Sequence, residues 1–214
     1  MSPRLIDISP LVSDRLGVFP GDVPYRRDLS RSLAAGHNID VSSMRATVHV
    51  GAHADAPSHY LPGGDGIAAR PLELYYGPCQ VVEVAVPRGA RILPAELQVE
   101  IEAPRVLIKT GSFPDPECFN EDFASLSPAL VDSLHGRGVV LVGIDTPSID
   151  PCHEKVLESH RAAGRHDMGI LEGLVLEHVA PGFYTLVALP LKLEGADAAP
   201  VRAVLISSAP DFPA

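Results

Sequence analysis

The residues from His49 to His59 carry metal-binding side chains at a regular spacing. His49, His53, Asp55 and His59 all fall on odd positions, while a valine and three alanines take the even positions up to 56. Successive side chains of an extended chain point to opposite faces, so the four polar groups would share one face. Imidazole and carboxylate ligands without nearby cysteine are typical of catalytic rather than closed structural sites. The stretch therefore predicts a site for zinc, manganese or another divalent ion.

This stretch is predicted to be a strand end that runs into a bent loop rather than a regular helix. Gly51 and Pro57 would both weaken a helix, and Pro57 would also remove a backbone donor. At roughly 3.3 Å per residue, a fully extended chain would separate His49 from Asp55 by about 20 Å, too far to share an ion with bonds of about 2 Å. The chain must therefore curl after His49, and Gly51 permits the curl.

A divalent ion held by such ligands lowers the pKa of its water to about 7 and polarises a carbonyl oxygen, which supports hydrolysis of an amide or ester. A lone histidine is more often a surface or satisfied core residue, but packing does not readily explain four such groups on alternating positions. A non-catalytic protein that holds a small ligand or a structural ion is the alternative. It predicts a closed coordination shell and no hydrolysis.

The composition favours a small-molecule substrate. With 214 residues, of which 46% are hydrophobic, the chain can bury a sizeable core, and we expect one domain over residues 1–214. The formal net charge of -10 argues against nucleic acid or an anionic membrane as a partner. No apolar stretch resembles a signal peptide or a membrane span. Three scattered cysteines, Cys79, Cys118 and Cys152, fit a reducing cytoplasm.

The hydrophobic pattern predicts alternating strands and helices. Strands are expected at 5–8, 79–86, 106–109, 139–144, 184–189 and 201–206, and residues 41–50 are also β-prone. Helices are expected from Pro94 to before Pro104, from Pro128 behind an N-cap at Ser127, and over 153–166, an exposed helix that would direct His160 toward the interior. The pattern predicts an α/β fold.

Two further features extend the candidate site. Asp145 begins a loop at the C-terminal end of the clearest buried strand, where sites on open α/β sheets tend to lie. Glu172 stands inside an otherwise apolar segment. A buried ionised glutamate is costly without a partner, so Glu172 requires a cation or a hydrogen-bond network.

The stretch from His49 to His59 resembles the hallmark of the cyclase family of metal-dependent hydrolases, His-x-Gly-x-His-x-Asp-x-Pro-x-His, and matches it in full. The match is specific, because six fixed positions fall within eleven residues. Segments at 7–9, 19–22, 143–150, 171–179 and 186–205 also resemble the family, most of all its bacterial arylformamidases. The resemblance covers most of the chain.

The resemblance implies an α/β fold in which helices flank a mixed β-sheet, of a swivelling β/β/α type, and it implies a homodimer. It also implies two divalent ions per subunit, for which zinc is the preferred candidate. His49, His53 and Asp55 would hold the first ion; Asp55 and Glu172 would bridge to a second ion held by His160, and His59 would be the general acid/base. The implied reaction is hydrolysis of N-formyl-L-kynurenine to L-kynurenine and formate. Hydrolysis of a cyclic amide such as isatin remains an alternative that the motif does not exclude.

Phe19 is the one departure from this pattern, because the arylformamidases commonly have tryptophan there. Phenylalanine can stack on an aromatic ring but offers no indole N–H. The substitution concerns substrate affinity or the exact substrate and leaves the metal chemistry untouched. An aromatic residue beside Pro20 and Gly21 could also simply anchor its loop to the core.

Overall fold

A nine-stranded sheet forms the centre of the computed structural model, which describes residues 4–207. The strands of the described residues are, in chain order, β1 (Arg4–Asp7), β2 (Arg26–Arg31), β3 (Val41–Arg45), β4 (His53–Asp55), β5 (Tyr76–Glu83), β6 (Arg91–Ile92), β7 (Arg105–Lys109), β8 (Ser125–Leu126), β9 (Leu141–Ile144), β10 (Gly169–Glu172), β11 (Gly182–Val187), β12 (Ala198–Pro200) and β13 (Val204–Ser207). The α-helices are α1 (Pro57–Tyr60), α2 (Pro128–Gly136) and α3 (Glu158–Arg165). Single 3-10 turns occupy Leu33–Ala35, Ile67–Ala69, Leu72–Tyr75 and Pro94–Glu96.

The central sheet has the order β1-β13-β11-β5-β7-β9-β10-β4-β12. Strands β5, β7, β9 and β10 run parallel, and antiparallel strands extend the sheet on both sides. Parallel strands are buried on both faces and therefore read as continuous apolar runs. In β7, Leu107 packs into one buried cluster while Val106 and Ile108 pack into another. The predicted α/β class is confirmed.

The long apolar strands were predicted within a few residues of their observed bounds. The predicted strand at 139–144, for example, is observed as β9. The strands β2, β6, β8, β10 and β12 were not predicted. They are two to six residues long, and β6, β8, β10 and β12 pair with strands that are distant in the sequence.

Helix α2 confirms its predicted start, because the Ser127 hydroxyl accepts a hydrogen bond from the Leu130 N–H at 3.1 Å. The helix predicted from Pro94 is wrong, since only the turn Pro94–Glu96 forms. The Gln80 side chain donates to the Glu100 carbonyl at 2.8 Å and accepts from the Glu102 N–H at 3.0 Å. These bonds engage backbone groups that a helix would have used, and the chain stays irregular.

The helix predicted over 153–166 is shorter and less exposed than expected. It begins at Glu158, and Ser159, His160, Ala162 and Ala163 are buried. The Asp150 carboxylate accepts hydrogen bonds from the Ser159 and His160 N–H groups at 3.0 Å each. These N–H groups lie at the start of α3, where they have no partner within the helix. The prediction that this segment directs His160 inward is confirmed.

Candidate metal centre

The predicted curl after His49 is present and depends on two glycines. Gly51 has a φ of +66°, in the left-handed region that favours glycine. A Cβ on Gly173 would lie 2.3 Å from the Gly51 carbonyl oxygen, so only glycine permits the end of β10 to approach this turn. The His53 Nδ1 donates to the same carbonyl at 2.8 Å. This bond fixes the imidazole and leaves Nε2 directed at the centre of the site.

Strand β4 positions His53 and Asp55 on one face, while Ala54 between them is fully buried on the other. The prediction of a shared face is confirmed for this pair. Antiparallel pairing with β10 places Glu172 opposite His53. The prediction that residues 49–59 avoid helix is wrong for the last turn, because Pro57–Tyr60 forms α1. Pro57 is at the first turn, where its missing N–H has no helical partner.

The Asp55 carboxylate faces different histidines with its two oxygens. Oδ1 lies 3.1 Å from His49 Nδ1 and 3.4 Å from His53 Nε2, and Oδ2 lies 3.2 Å from His160 Nε2. The Asp55 side chain is fully buried. One carboxylate therefore stands between two separate sets of imidazole nitrogens.

Glu172 repeats this arrangement. Its Oε2 lies 3.3 Å from His53 Nε2, and its Oε1 lies 3.2 Å from His160 Nε2. Oε1 also accepts a hydrogen bond from the Ile149 N–H at 2.7 Å. Of the two partners expected for Glu172, a cation or a hydrogen-bond network, the described residues provide the second. The carboxylates of Asp55 and Glu172 thus both lie between His53 and His160.

Charge compensation determines the protonation of the cluster. Burial raises the pKa of Asp55, but the charged contacts with His160 and His49 outweigh burial and hold that pKa well below its usual range. Burial and the nearby Asp55 charge raise the pKa of Glu172, yet the charge of His160 produces a net lowering. Burial opposes protonation of His49, whereas its contacts with Asp55 and Asp197 raise its pKa to about 9. Both buried carboxylates are therefore anions that need positive charge beside them.

The atoms of the cluster fit a divalent ion. His53 Nε2 and Asp55 Oδ1 are buried, and neither makes a hydrogen bond with another group among residues 4–207. Bonds of about 2 Å at a tetrahedral centre separate neighbouring ligand atoms by roughly 3.3 Å, which matches the 3.1–3.4 Å between Asp55 Oδ1 and the two imidazoles. Ligand atoms of His49, His53 and Asp55 lie within 4.8 Å of one another, as do those of Asp55, His59 and His160. The cluster is a candidate centre for a divalent ion.

Asp150 is a site residue that the sequence reasoning missed. Its Oδ2 lies 2.8 Å from His160 Nδ1, so the carboxylate orients the ring and leaves Nε2 to face Asp55 and Glu172. Burial raises the pKa of Asp150, but bonds from His160 outweigh it and lower that pKa to about 2. Histidines that bind metals commonly donate their second N–H to a carboxylate of this kind. Asp150 belongs to the 143–150 segment already noted, yet nothing in its spacing connects it to His160.

Asp197 is the second missed residue. It precedes β12, whose pairing with β4 places Ala198 opposite Asp55. The Asp197 Oδ2 lies 3.0 Å from His49 Nε2 and 3.1 Å from His59 Nδ1, so one oxygen contacts both rings. The separation of 138 positions between His59 and Asp197 explains why no local pattern links them.

The cluster lies at the base of a cavity of about 380 Å³. His49, His53, His59, His160 and Glu172 line it together with Asp197. Phe19, Phe113 and Phe119 form an aromatic wall, and the ring centroids of Phe19 and Phe119 lie 5.5 Å apart in an edge-on arrangement. Phe19 therefore lines the cavity, where it could contact a ligand. It also packs against Phe119, which agrees with a role in anchoring its loop.

Comparison with known sequences relates most of the chain to one family. Residues 6–151 match the profile of the family described as "Putative cyclase". The "Kynurenine formamidase" of Bordetella petrii is 48% identical over 204 residues, which are 94% of this chain and 97% of that protein. The protein of the same name from Bordetella pertussis is 49% identical over 205 residues, with the same coverage of both chains.

Comparison with solved structures agrees. "The Structure Of Potential Metal-Dependent Hydrolase With Cyclase Activity" superposes with a TM-score of 0.83 at 26% identity, over 98% of this chain and 100% of that chain. A "Crystal structure of an isatin hydrolase bound to product analogue thioisatinate" superposes with a TM-score of 0.82 over 97% and 93% of the two chains. Its 16% identity shows a shared fold alone. Separately, none of the helices within residues 4–207 is long and apolar enough to span a bilayer.

Proposed function

This chain belongs to the cyclase family, and we propose that it is a hydrolase that converts N-formyl-L-kynurenine to L-kynurenine and formate. The observation that carries the substrate assignment is the 48–49% identity with kynurenine formamidases over 94% of the chain. The carboxylates of Asp55 and Glu172, each between two imidazole sets beneath an aromatic cavity, support the hydrolytic chemistry.

The proposed metal content is two divalent ions per subunit, and zinc is the preferred candidate. His49, His53 and Asp55 would hold one ion, and His160, Asp55 and Glu172 would hold the other. The nitrogen and oxygen donors suit zinc or manganese, and the neighbour with 26% identity is described as a metal-dependent hydrolase. When bound, such an ion lowers the pKa of a water and polarises a carbonyl oxygen.

His59 is the proposed general acid/base. Its Nδ1 is held by Asp197 at 3.1 Å, which leaves Nε2 as the ring nitrogen available for proton transfer. The His59 side chain is 31% exposed and lines the cavity, so a substrate can reach it. It would accept a proton from the attacking water and deliver it to the aniline nitrogen as the C–N bond breaks. The products are then formate and a free aryl amine.

Phe19 is proposed to contact the aryl ring of the substrate. Phe19, Phe113 and Phe119 offer ring edges and faces to an aromatic group in the same cavity. Aromatic pairs prefer such edge-on or offset arrangements. This wall would hold the ring while the formyl group reaches the carboxylates and imidazoles at the base.

A cytoplasmic homodimer remains part of the proposal. The three cysteines of the chain are free thiols, which agrees with a reducing compartment.

Hydrolysis of a cyclic amide is the second candidate function, favoured by the fold shared with an isatin hydrolase. Initial rates on N-formyl-L-kynurenine and on isatin, measured with one enzyme preparation, decide between the two. We expect the formamide to be hydrolysed with the larger kcat/KM. A larger kcat/KM on isatin would reject the formamidase assignment, and no hydrolysis of either substrate by the metal-loaded protein would favour a binding role.

A further inference from the structure

Strands β2 and β3 form a hairpin, here called the arm (residues 24–46), that projects into solvent. Every residue of both strands is exposed, and the Thr47 N–H bonds the Val23 carbonyl at 2.8 Å where the arm leaves the body. An isolated two-stranded hairpin is at best marginally stable in water. Packing against another surface would therefore stabilise the arm.

One face of the arm carries two large, exposed apolar side chains, Leu29 and Met44. Pairing places Arg27 opposite Met44 and Leu29 opposite Ser42, so Arg27, Leu29 and Met44 share a face. Leu29 is 47% exposed and Met44 is 66% exposed. Arg26 pairs with Arg45 on the opposite face. The face with Leu29 and Met44 is the one suited to dock.

Charge identifies a second copy of this chain as the occupant. The arm carries four arginines and two aspartates, so the rest of the chain is more negative than the -10 of the whole. None of the ion pairs within residues 4–207 includes an arginine of the arm. A basic arm whose arginines pair with no acid among residues 4–207 complements the acidic body of another copy.

Among the described residues, no arginine or lysine lines the cavity. N-formyl-L-kynurenine carries an α-carboxylate and an α-ammonium group. Asp22 and Glu154 line the cavity and suit the ammonium group. An arginine for the carboxylate would therefore come from outside the residues that line the cavity.

Within the described part of the chain, the arm, which carries unpaired arginines, lies next to the cavity, whose lining has none. The arm begins and ends at the cavity edge, because Asp22 and Thr47 both line the cavity and their side chains are bonded at 3.2 Å. A two-fold contact made through the arms is reciprocal, so it brings the two cavity openings to the same interface. Each arm then passes beside the opening of the other copy.

Resting on the proposed function, we propose that the arm of one copy docks on a second copy through Leu29 and Met44 and places Arg27 at that copy's cavity to bind the substrate carboxylate. An arginine binds a carboxylate through two parallel hydrogen bonds, which also fixes the orientation of the amino-acid end. The site is incomplete in a single chain.

Steady-state kinetics of Arg27→Ala test the substrate contact, with Arg26→Ala on the opposite face as the matched control. We expect Arg27→Ala to raise KM for N-formyl-L-kynurenine by about 10- to 100-fold, the loss typical of a hydrogen bond to a charged group. Its kcat/KM for 2-formamidoacetophenone, an aryl formamide without a carboxylate, should stay at the wild-type value. An unchanged KM, or an equal effect of Arg26→Ala, would overturn the proposal.

A heterodimer of Arg27→Ala and His59→Ala subunits, purified through two different tags, tests whether the arginine acts across the interface. The Arg27→Ala subunit keeps an intact catalytic group and receives the intact arm of its partner. We expect the wild-type KM with about half of the wild-type kcat per dimer. A KM as high as that of the Arg27→Ala homodimer would mean that the arginine serves its own subunit.

Light scattering tests docking independently of any activity. Wild-type protein and Arg27→Ala should have the mass of a dimer, and Met44→Glu should shift the mass to a monomer with an unchanged circular dichroism spectrum. A monomeric wild-type protein would overturn the proposal even if it hydrolyses the formamide. A dimer that hydrolyses neither formamide would instead reject the proposed function.

Discussion

One carboxylate oxygen, Asp197 Oδ2, lies 3.1 Å from His59 Nδ1 and so determines which nitrogen of that ring faces the cavity. The same oxygen lies 3.0 Å from His49 Nε2. A residue outside the hallmark stretch therefore connects two of its histidines.

We expect Asp197→Asn to lower kcat about 10- to 100-fold and to change KM little, because an amide is a weaker acceptor while the aromatic wall is unaltered. Steady-state kinetics and metal analysis measure the effect. Asp65→Asn, an exposed change on the neighbouring loop, should leave kcat at the wild-type value. A kcat unaffected by Asp197→Asn would show that Asp197 does not position His59.

His59→Ala separates the two roles open to this residue. As general acid/base, His59 contributes about 10²- to 10⁴-fold to turnover, so kcat should fall by that factor with metal content intact. Its nearness to Asp55 and His160 makes a ligand role the competing account. A parallel loss of metal and activity would support that account, and His178→Ala, whose ring bonds the Asp7 carbonyl outside the cavity, provides the control.

Asp150→Asn tests the orientation of His160. The variant keeps the shape of the side chain but removes the charge that lies 2.8 Å from His160 Nδ1. We expect the affinity for the ion that His160 would hold to fall about 10- to 100-fold, measured by titration with a competing chelator. Asp132→Asn is the matched control, because it alters a similar contact, 2.8 Å from His166 Nε2, away from the cluster. An affinity unchanged in Asp150→Asn would contradict this role.

Phe19→Ala tests the aromatic wall. Loss of an aromatic pair worth about 0.5–1.5 kcal/mol predicts a KM for N-formyl-L-kynurenine raised by up to about tenfold with kcat retained. Phe183→Ala, which removes an exposed ring on β11, should leave KM unchanged. An unaltered KM in Phe19→Ala would show that this ring anchors its loop and does not contact substrate.

Local patterns were sufficient for most of the apolar strands and for the curl at the hallmark stretch. The apolar run at 106–109 indicated the strand that is observed as β7, and the alternation of His53 and Asp55 indicated their shared face. Ser127 capped its helix as expected, because an N-cap depends on residues three positions apart.

Contacts between distant segments were not accessible in the same way. Asp197 reaches His59 only because β12 pairs with β4, a register that depends on the whole sheet. Asp150 reaches His160 because it caps the helix that carries this histidine. The helix expected from Pro94 failed for the same reason, since Gln80 on a remote strand binds the backbone at 100 and 102.

Metal analysis combined with a formylkynurenine assay tests the central claim most directly. The purified protein should contain two divalent ions per chain, lose hydrolysis in proportion to the ions removed by a chelator, and recover it when zinc or manganese is restored. Full hydrolytic activity in a preparation verified to be free of divalent ions would contradict the account.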